Sequence, residues 1–466
     1  MRVFRHTVSS GARSGMFVDL IMCFVAVLLA ASTLTTRYAT VPRYVPELPL
    51  ILAGATFFAV VMALMYAFLG LYRPAPLRAW ASAARTMAAL AVGGYLTCVA
   101  LRSVADRGYV EQLIAAAVTY LGFGLIVVRI AMEIMRRASP LSRVLIVGTG
   151  AEAHMIASDL NTPGRTARNV VGLYPTSDVT MGEVDAGTLH RVFPRSASIA
   201  DLVARYDIQE IIVAVREQRG GGVPMDQLLA CRIRGIPVLD LAGFYERTKS
   251  EVPIDSLKSS WLVYGHGFVQ GPLRTFGKRL FDITSSIVLL TLLSPVMVLT
   301  LVAIRLDSRG PIIYRQPRVG LGGRTFQCLK FRSMFADAEN DGVARWAVQN
   351  DPRVTRIGAF LRKTRIDELP QLLSVLKGEM SLVGPRPERP GFVAQLQEVI
   401  PFYDIRHTVK PGVTGWAQVR YHYGATMEDA RRKHQFDLYY IKNNSIFLDI
   451  LVLIETVSVV LFREGQ

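Results

Sequence analysis

Cysteine is scarce: four in 466 residues, Cys23, Cys98, Cys231 and Cys328, far apart and without a CxxC pair. Neither a disulfide framework nor a zinc site is indicated, and a reducing compartment is compatible. Histidine is scarce too. The seven, among them His422 and His434, show no i, i+4 pairing and no acidic partner arranged as a triad, so zinc-dependent and serine-type hydrolysis find no support. Charged residues make up 19% of the chain against 51% hydrophobic ones, too apolar a balance for a wholly water-soluble protein. Acidic residues are the rarer sign, 37 against 53 basic. The net charge of +16 suits anionic partners such as phospholipid headgroups, diphosphates or nucleic acid, and charge alone does not choose among them.

Long apolar stretches, by contrast, abound. Four of them, Met16 to Thr36, Leu48 to Gly70, Trp80 to Leu101 and Val110 to Met132, are each near the ~20 residues that span a bilayer and predict four transmembrane helices. A secretory signal is the alternative for the first, but no small-residue cleavage site follows cleanly and three more stretches come after it. Arg2, Arg5 and Arg13 precede the first stretch, Arg73 and Arg78 lie between the second and third, and Arg136, Arg137 and Arg143 follow the fourth. Both ends are therefore expected in the cytoplasm, with a bias softened by Arg37, Arg43, Arg102 and Arg107 in the outer loops.

After the fourth helix, Arg143-Val-Leu-Ile-Val-Gly148-Thr149-Gly150 reads as a buried strand entering a glycine turn and then a helix, a Rossmann-type opening. Further strands are expected at Asn169 to Tyr174, Glu210 to Val215 and Ile236 to Leu241, with helices at Ser198 to Tyr206 and Met225 to Arg234, making a small parallel α/β sheet. Gly148 and Gly150 would let a diphosphate approach a helix N-terminus. The acidic ribose partner is not evident, Asp178 lying beyond the second strand, so a structural turn without a dinucleotide stands beside that reading. Tyr245 and Lys249 form a YxxxK pair of the kind some dehydrogenases use, without the upstream serine that would accompany it.

A further apolar stretch, Leu280 to Ile304, is interrupted by Ser294-Pro295. Arg274, Lys278 and Arg279 precede it, and Arg305, Arg309, Arg315, Arg318, Arg324, Lys330 and Arg332 follow it, so both flanks favour the cytoplasmic face. A re-entrant helix, broken at Ser294-Pro295, satisfies both; a fifth transmembrane helix or a kinked core helix is the alternative.

The stretch Leu361 to Gly378 reads as one capped helix, with Pro370 in the first turn, leucines 369, 372, 373 and 376 as an apolar stripe, and Gly378 as the stop. Asp367 and Glu368 then stand at its N-terminus, where the dipole holds a carboxylate ionised and free amides can receive phosphate. Helix capping alone explains an aspartate there. The company changes the balance: Arg362, Lys363 and Arg365 upstream, and Ser381-Leu382-Val383-Gly384-Pro385-Arg386-Pro387 downstream, offer cations able to clamp a diphosphate.

From about Pro272 onward the chain resembles the polyprenyl-phosphate hexose-1-phosphate transferases, which begin bacterial exopolysaccharide and O-antigen synthesis. The resemblance runs through Ser294-Pro295, Lys330-Phe331-Arg332-Ser333-Met334, Asp367-Glu368-Leu369-Pro370-Gln371, Gly384-Pro385-Arg386-Pro387, Lys410-Pro411-Gly412-Val413-Thr414-Gly415-Trp416-Ala417-Gln418 and Asp437-Leu438-Tyr439-Tyr440-Ile441. The four-helix start and the glycine-turn domain look like the long subgroup, and Ser260-Trp261-Leu262 to Gly267-Phe268 is similar to its linker. One departure is Arg365-Ile366, where the family often has a small polar residue and an apolar one.

The resemblance implies that Asp367 attacks the sugar-bearing phosphorus of a UDP-sugar, expels UMP and passes the sugar phosphate to undecaprenyl phosphate. It implies Mg²⁺ at Asp367, Glu368 as base or metal partner, phosphate contacts from Arg362, Arg386, Lys330 and Arg332, and Asp437 completing the polar site. Glucose is the first expectation for the hexose and galactose the second. The expected fold is a membrane protein, α plus α/β. A four-helix transmembrane domain (1–138) and a Rossmann-like domain (139–245) lead through a linker (246–271) to a mainly helical catalytic domain (272–466) with a re-entrant helix at 280–304. A bacterial inner-membrane location facing the cytoplasm, a homodimer, and no nucleic-acid partner complete the expectation. The C-terminal Phe447 to Phe462, ending at Arg463-Glu464, is expected to lie on the membrane or to pack on the catalytic domain. A membrane-tethered sugar-nucleotide dehydratase or epimerase and a non-catalytic capsule-assembly scaffold are the rival readings.

Overall fold

The computed structural model describes residues 10–37, 47–71, 79–138, 141–161, 168–176, 191–215, 222–254, 257, 262, 267–268, 270–335, 351–421, 424 and 426–462. Of the residues named above, Arg2, Arg5, Arg43, Arg73, Arg78, Asp178, Ser260, Trp261, His422, Arg463 and Glu464 lie outside the described ones. Among the described residues five helices are long and apolar enough to cross a membrane: Phe17–Thr35, Leu48–Phe68, Ser82–Leu101, Arg107–Ala131 and Pro272–Asp307. The described residues fall into two compact units, one within Thr7–Thr248 and one from Lys249 onward.

In the first unit, α1 (Ser10–Arg37) and α3 (Ala79–Leu101) each pack on α2 (Leu48–Phe68) and α4 (Arg107–Ala138). Small residues line the seams. Ala26, Ala30, Ala55, Ala59, Ala89 and Ala117 are buried, with Phe58, Met62 and Leu121 between them. Phe17, Leu29, Leu64, Tyr95, Phe123 and Ile126 face outward and are exposed. A bundle apolar on both its inside and its outside suits lipid, where helices associate by close packing.

The same unit holds a parallel sheet of β1 (Ser142–Val147), β2 (Arg168–Tyr174), β3 (Glu210–Val213) and β4 (Val238–Asp240), in the order β2-β1-β3-β4. Alternate residues of β1 serve opposite faces. Val144 and Ile146 meet Ala153, Ile156 and Leu160 of α5 (Ala151–Asn161) and Phe244 of α8 (Leu241–Thr248). Leu145 and Val147 meet Leu202 of α6 (Ile199–Tyr206) and Leu228 of α7 (Met225–Ile233). The last strand stops one residue short of the expected Leu241, because the Asp240 side chain accepts from the Gly243 N–H at 2.9 Å and starts α8 there.

The second unit begins earlier than expected. Within the supposed linker, Ser250 O accepts from Trp416 Nε1 at 2.9 Å, and the Val252 N–H donates to Gln435 O at 3.1 Å. Val252 and Ile254 are buried in this unit's core, so these residues anchor rather than link.

Helix α9 (Pro272–Asp307) runs unbroken through Ser294-Pro295. That corrects the expected interruption, and the reason is local. Proline has no N–H to give to Thr291 O, but the Ser294 hydroxyl donates to that same carbonyl at 2.8 Å. Both ends of α9 are tied to the one unit. Near its start Arg279 donates to Val375 O and Leu376 O at 2.6 Å each; at its end Arg332 donates to Ser308 O at 2.7 Å and Arg309 O at 3.0 Å. Between these ties Leu292, Val298, Leu299 and Val302 are exposed.

An antiparallel hairpin of β5 (Ile313–Val319) and β6 (Thr325–Phe331) follows, then α10 (Arg356–Thr364), α11 (Gln371–Lys377), β7 (Ser381–Val383), α12 (Pro390–Val399), β8 (Gly412–Thr414), α13 (Trp416–Arg420), α14 (Met427–Asn443) and α15 (Ile446–Phe462). Strands β7 and β8 pair in parallel. Helix α15 packs on this unit, burying Leu448, Asp449, Val452 and Glu455.

Candidate active site

The expected single helix from Leu361 to Gly378 is in fact two. α10 ends at Thr364 because Arg365 takes a left-handed conformation, φ 59°, and a 3₁₀ turn at Ile366–Glu368 leads through Leu369 and Pro370 into α11. Gly378 closes α11 with φ 90°, as its position predicts. The leucines do not form one stripe: Leu372 is buried and Leu373 is 42% exposed. The turn presents Asp367 and Glu368, both buried.

Three cations from three places converge on one oxygen. Glu368 Oε1 is 2.8 Å from Arg386 Nη2, 3.1 Å from Lys330 Nζ and 3.6 Å from Arg365 Nη1. Lys330 comes from β6, Arg386 from the turn after β7, and Arg365 from the left-handed joint itself. Gly384 shapes the Arg386 turn, since a Cβ there would collide with Lys410 O and the Gly412 N–H. Burial opposes the Glu368 charge, but Arg386, Lys330 and Arg365 together outweigh it and hold the carboxyl well below its usual range. A carboxylate held so low has little proton affinity. That counts against the base half of the expectation for Glu368 and leaves it as counter-charge or metal partner.

Asp367 is different in kind. Burial first, and the neighbouring Glu368 carboxylate second, push it up to about 6 against the pull of Lys330, Arg365 and Arg386. The expected stabilisation by a helix dipole is thus outweighed. Its Oδ1 is buried and accepts no hydrogen bond from any described residue. A buried carboxylate oxygen without a donor calls for a function or a ligand. Two adjacent carboxyls pushed in opposite directions provide one poised group and one fixed charge. Among the described residues no group of three or more His, Cys, Asp or Glu could hold a metal alone. The free Asp367 oxygen beside Glu368 fits Mg²⁺, which takes one or two carboxylates together with substrate phosphates.

Asp367, Glu368, Lys330 and Arg386 are therefore brought together; three other candidates are not. Arg332 stands at the C-terminal end of α9, where its two Nη atoms donate to Ser308 and Arg309 while its buried Nε has no partner among the described residues, so its contacts do not bring it to Glu368. Arg362, on α10, is not among the cations acting on the carboxylate pair; it adds to the Arg353 hydrogen bonds that lower Asp351 to about 2. Asp437, 3% exposed, is 3.2 Å from Arg406 Nη2 and lies behind Arg386, since the same nitrogen donates to Arg386 O at 2.7 Å. Burial pushes Asp437 up to about 6, with Arg406 pulling it back. Arg365, expected among the cations upstream of the carboxylate pair and noted as a departure from the family pattern, is part of the cluster. Arg406 carried no local signal.

In the sheet domain, Gly148 has φ 130° and sits against Ala214 O, which a Cβ would approach to 2.7 Å, so close strand packing explains this glycine. At Gly150 a Cβ would be in ordinary contact, 3.6 Å from Glu152 Oε2. That carboxylate occupies the first turn of α5, where a diphosphate would bind, and works against one. Tyr245 is buried in the sheet core with its ring edge-on to Phe244 at 5.5 Å, a packing position.

A family model described as Bacterial sugar transferase matches residues 273–463. The chain is 43% identical over 261 residues to a UDP-N-acetylgalactosamine-undecaprenyl-phosphate N-acetylgalactosaminephosphotransferase of Aeromonas hydrophila, covering 56% of this chain and 60% of that protein. It is 39% identical over 342 residues to an undecaprenyl-phosphate glucose phosphotransferase of Komagataeibacter xylinus, covering 69% and 60%. With the exopolysaccharide production protein PSS of Rhizobium leguminosarum bv. phaseoli it shares 45% identity over 186 residues, 39% of this chain and 92% of that protein. The chain thus spans about three fifths of the length of the first two relatives.

Proposed function

The chain belongs to the bacterial sugar transferase family, and on that premise we propose that it moves a hexose 1-phosphate from a UDP-sugar to undecaprenyl phosphate at the cytoplasmic face of a bacterial inner membrane. The observation that carries this reading is the buried Asp367 oxygen, without a partner among the described residues, beside three converging cations.

In the first step the Asp367 carboxylate attacks the sugar-bearing phosphorus. A carboxyl–phosphorus bond forms, the bridging P–O bond breaks, and UMP leaves with its electron pair. In the second, a phosphate oxygen of undecaprenyl phosphate attacks the same phosphorus and frees the aspartate. One diphosphate replaces another, so no outside energy is required. Arg386 and Lys330 stand ready to move from Glu368 to the diphosphate, where a guanidinium fork and an ammonium neutralise charge on the phosphoryl oxygens. Glu368 keeps them in place until then. Mg²⁺, held by Asp367 with Glu368 beside it, would polarise the phosphoryl group.

In this reading helix α9, continuous through Pro295, bends there and serves as a re-entrant element that enters and leaves by one face. Straight, its 36 residues would measure about 54 Å, well beyond the ~30 Å apolar core of a bilayer. Its ties at Arg279 and at Ser308 belong to one folded unit, which a full crossing would divide between two faces. Glucose is the first choice of hexose, supported by the relative that matches 69% of the chain. The test is UMP release from UDP-glucose, UDP-galactose and UDP-N-acetylgalactosamine with Mg²⁺ and undecaprenyl phosphate. Release is expected from at least one donor and should be abolished in Asp367→Asn; a fully active Asp367→Asn variant overturns the reading.

A further inference from the structure

We propose that Arg406, neutralised by Asp437, is the positioning residue that aims Arg386 at the diphosphate, and that Asp437 itself never meets substrate. This rests on the function proposed above. The turn that carries Arg386 is held by three consecutive carbonyls: Pro385 O accepts from the Gly412 N–H at 2.9 Å, Arg386 O from Arg406 Nη2 at 2.7 Å, and Pro387 O from Arg318 Nη1 at 2.9 Å. Pro385 and Pro387 remove two backbone donors, and Pro387 restricts Arg386 to extended conformations, so the carbonyls are what remains to orient the turn. The middle clamp acts on the functional residue itself.

Arg406 is built to stay where it is. Its side chain is 7% exposed, its Nη2 also faces Asp437 Oδ2 at 3.2 Å, its Nη1 donates to the Tyr403 hydroxyl, and its guanidinium carbon lies 4.8 Å from the centre of that ring. The planar fork thus reaches a carboxylate, a carbonyl and a phenol at once, which a lysine cannot do. Asp437, 3% exposed and a carboxylate, has neither the access nor the charge to bind phosphate. It provides the counter-charge without which a buried guanidinium would be strongly destabilising. The result is a relay of fixed positions from Asp437 through Arg406 to the Arg386 main chain, and from the Arg386 side chain to Glu368 at 2.8 Å.

Arg406→Lys keeps the buried charge and tests the geometry. With the full-length protein and its preferred donor, kcat/KM per active site, titrated by the UMP burst, should fall about 10- to 100-fold, as for a misplacement of order 1 Å. In an Arg386→Ala background the same change should cost no more than about twofold, because residues acting through one another are non-additive. Asp437→Asn should give a smaller loss with the same non-additivity. Independently of turnover, hydrogen exchange at the Arg386 and Glu388 amides should quicken in Arg406→Lys. Full-sized, additive losses, or unchanged exchange at those amides, would overturn the proposal. Wild-type protein that releases no UMP sinks the function reading instead, and the exchange measurement then still decides the positioning role.

Discussion

Replacing Glu368 by glutamine keeps the shape of the side chain and removes the one negative charge that Arg386, Lys330 and Arg365 share. Glu368 is 8% exposed at its side chain, Lys330 18% and Arg386 33%, so two largely buried cations lose the carboxylate they contact and keep only the neighbouring Asp367 as counter-charge. Breaking a buried pair from one side costs about 3–5 kcal/mol, and the partial hydration of Arg386 argues for the lower end, about 3 kcal/mol. In a unit of this size each kcal/mol lowers Tm by about 2–4 °C, giving about 6–12 °C in all. Thermal unfolding in nanodiscs, followed by the fluorescence of the buried Trp416, measures it. UDP should stabilise Glu368→Gln more than the wild type, because its diphosphate replaces the missing anion. A variant as stable as the wild type, indifferent to UDP, refutes the placing of the three cations around Glu368.

Arg332→Met should lower stability by about 3 kcal/mol through loss of charged hydrogen bonds to Ser308 and Arg309, with kcat/KM per titrated site unchanged; a raised KM restores its phosphate role. Burial first, and Glu368 second, push Asp367 up to about 6, so the UMP burst rate should fall as pH drops through that value and the nucleophile protonates. A limb near the ordinary aspartate range of about 4 contradicts that environment. Single cysteines at Leu273 and Arg309, in a background lacking the four native ones, should both label from the cytoplasmic side only; labelling from opposite sides makes α9 a full crossing.

What could be read from the sequence was what local pattern encodes. Runs apolar on every side announce lipid or a sheet buried on both faces, and the strands expected from Arg143, Asn169 and Glu210 stand at Ser142–Val147, Arg168–Tyr174 and Glu210–Val213. Gly378 ends its helix for a reason that one residue carries. Interactions that bring distant residues together were not legible. An arginine in the left-handed region at residue 365 has no pattern to announce it, so two helices looked like one. Pro295 looked like a break because the Ser294 hydroxyl that replaces its missing donor is visible only in three dimensions. Arg332 and Arg386 look alike in the sequence as basic residues within family motifs, and only the fold sends one to a helix end and the other to Glu368. Arg406 lies 20 residues from Arg386 and became recognisable only through their contact.

The most direct measurement is to load the protein with a UDP-sugar labelled in the sugar, omit undecaprenyl phosphate, and map the label by mass spectrometry of peptides. A hexose-phosphate adduct on Asp367, discharged on adding undecaprenyl phosphate, is the expected result. An active preparation in which Asp367 stays unmodified while labelled lipid accumulates contradicts the covalent route.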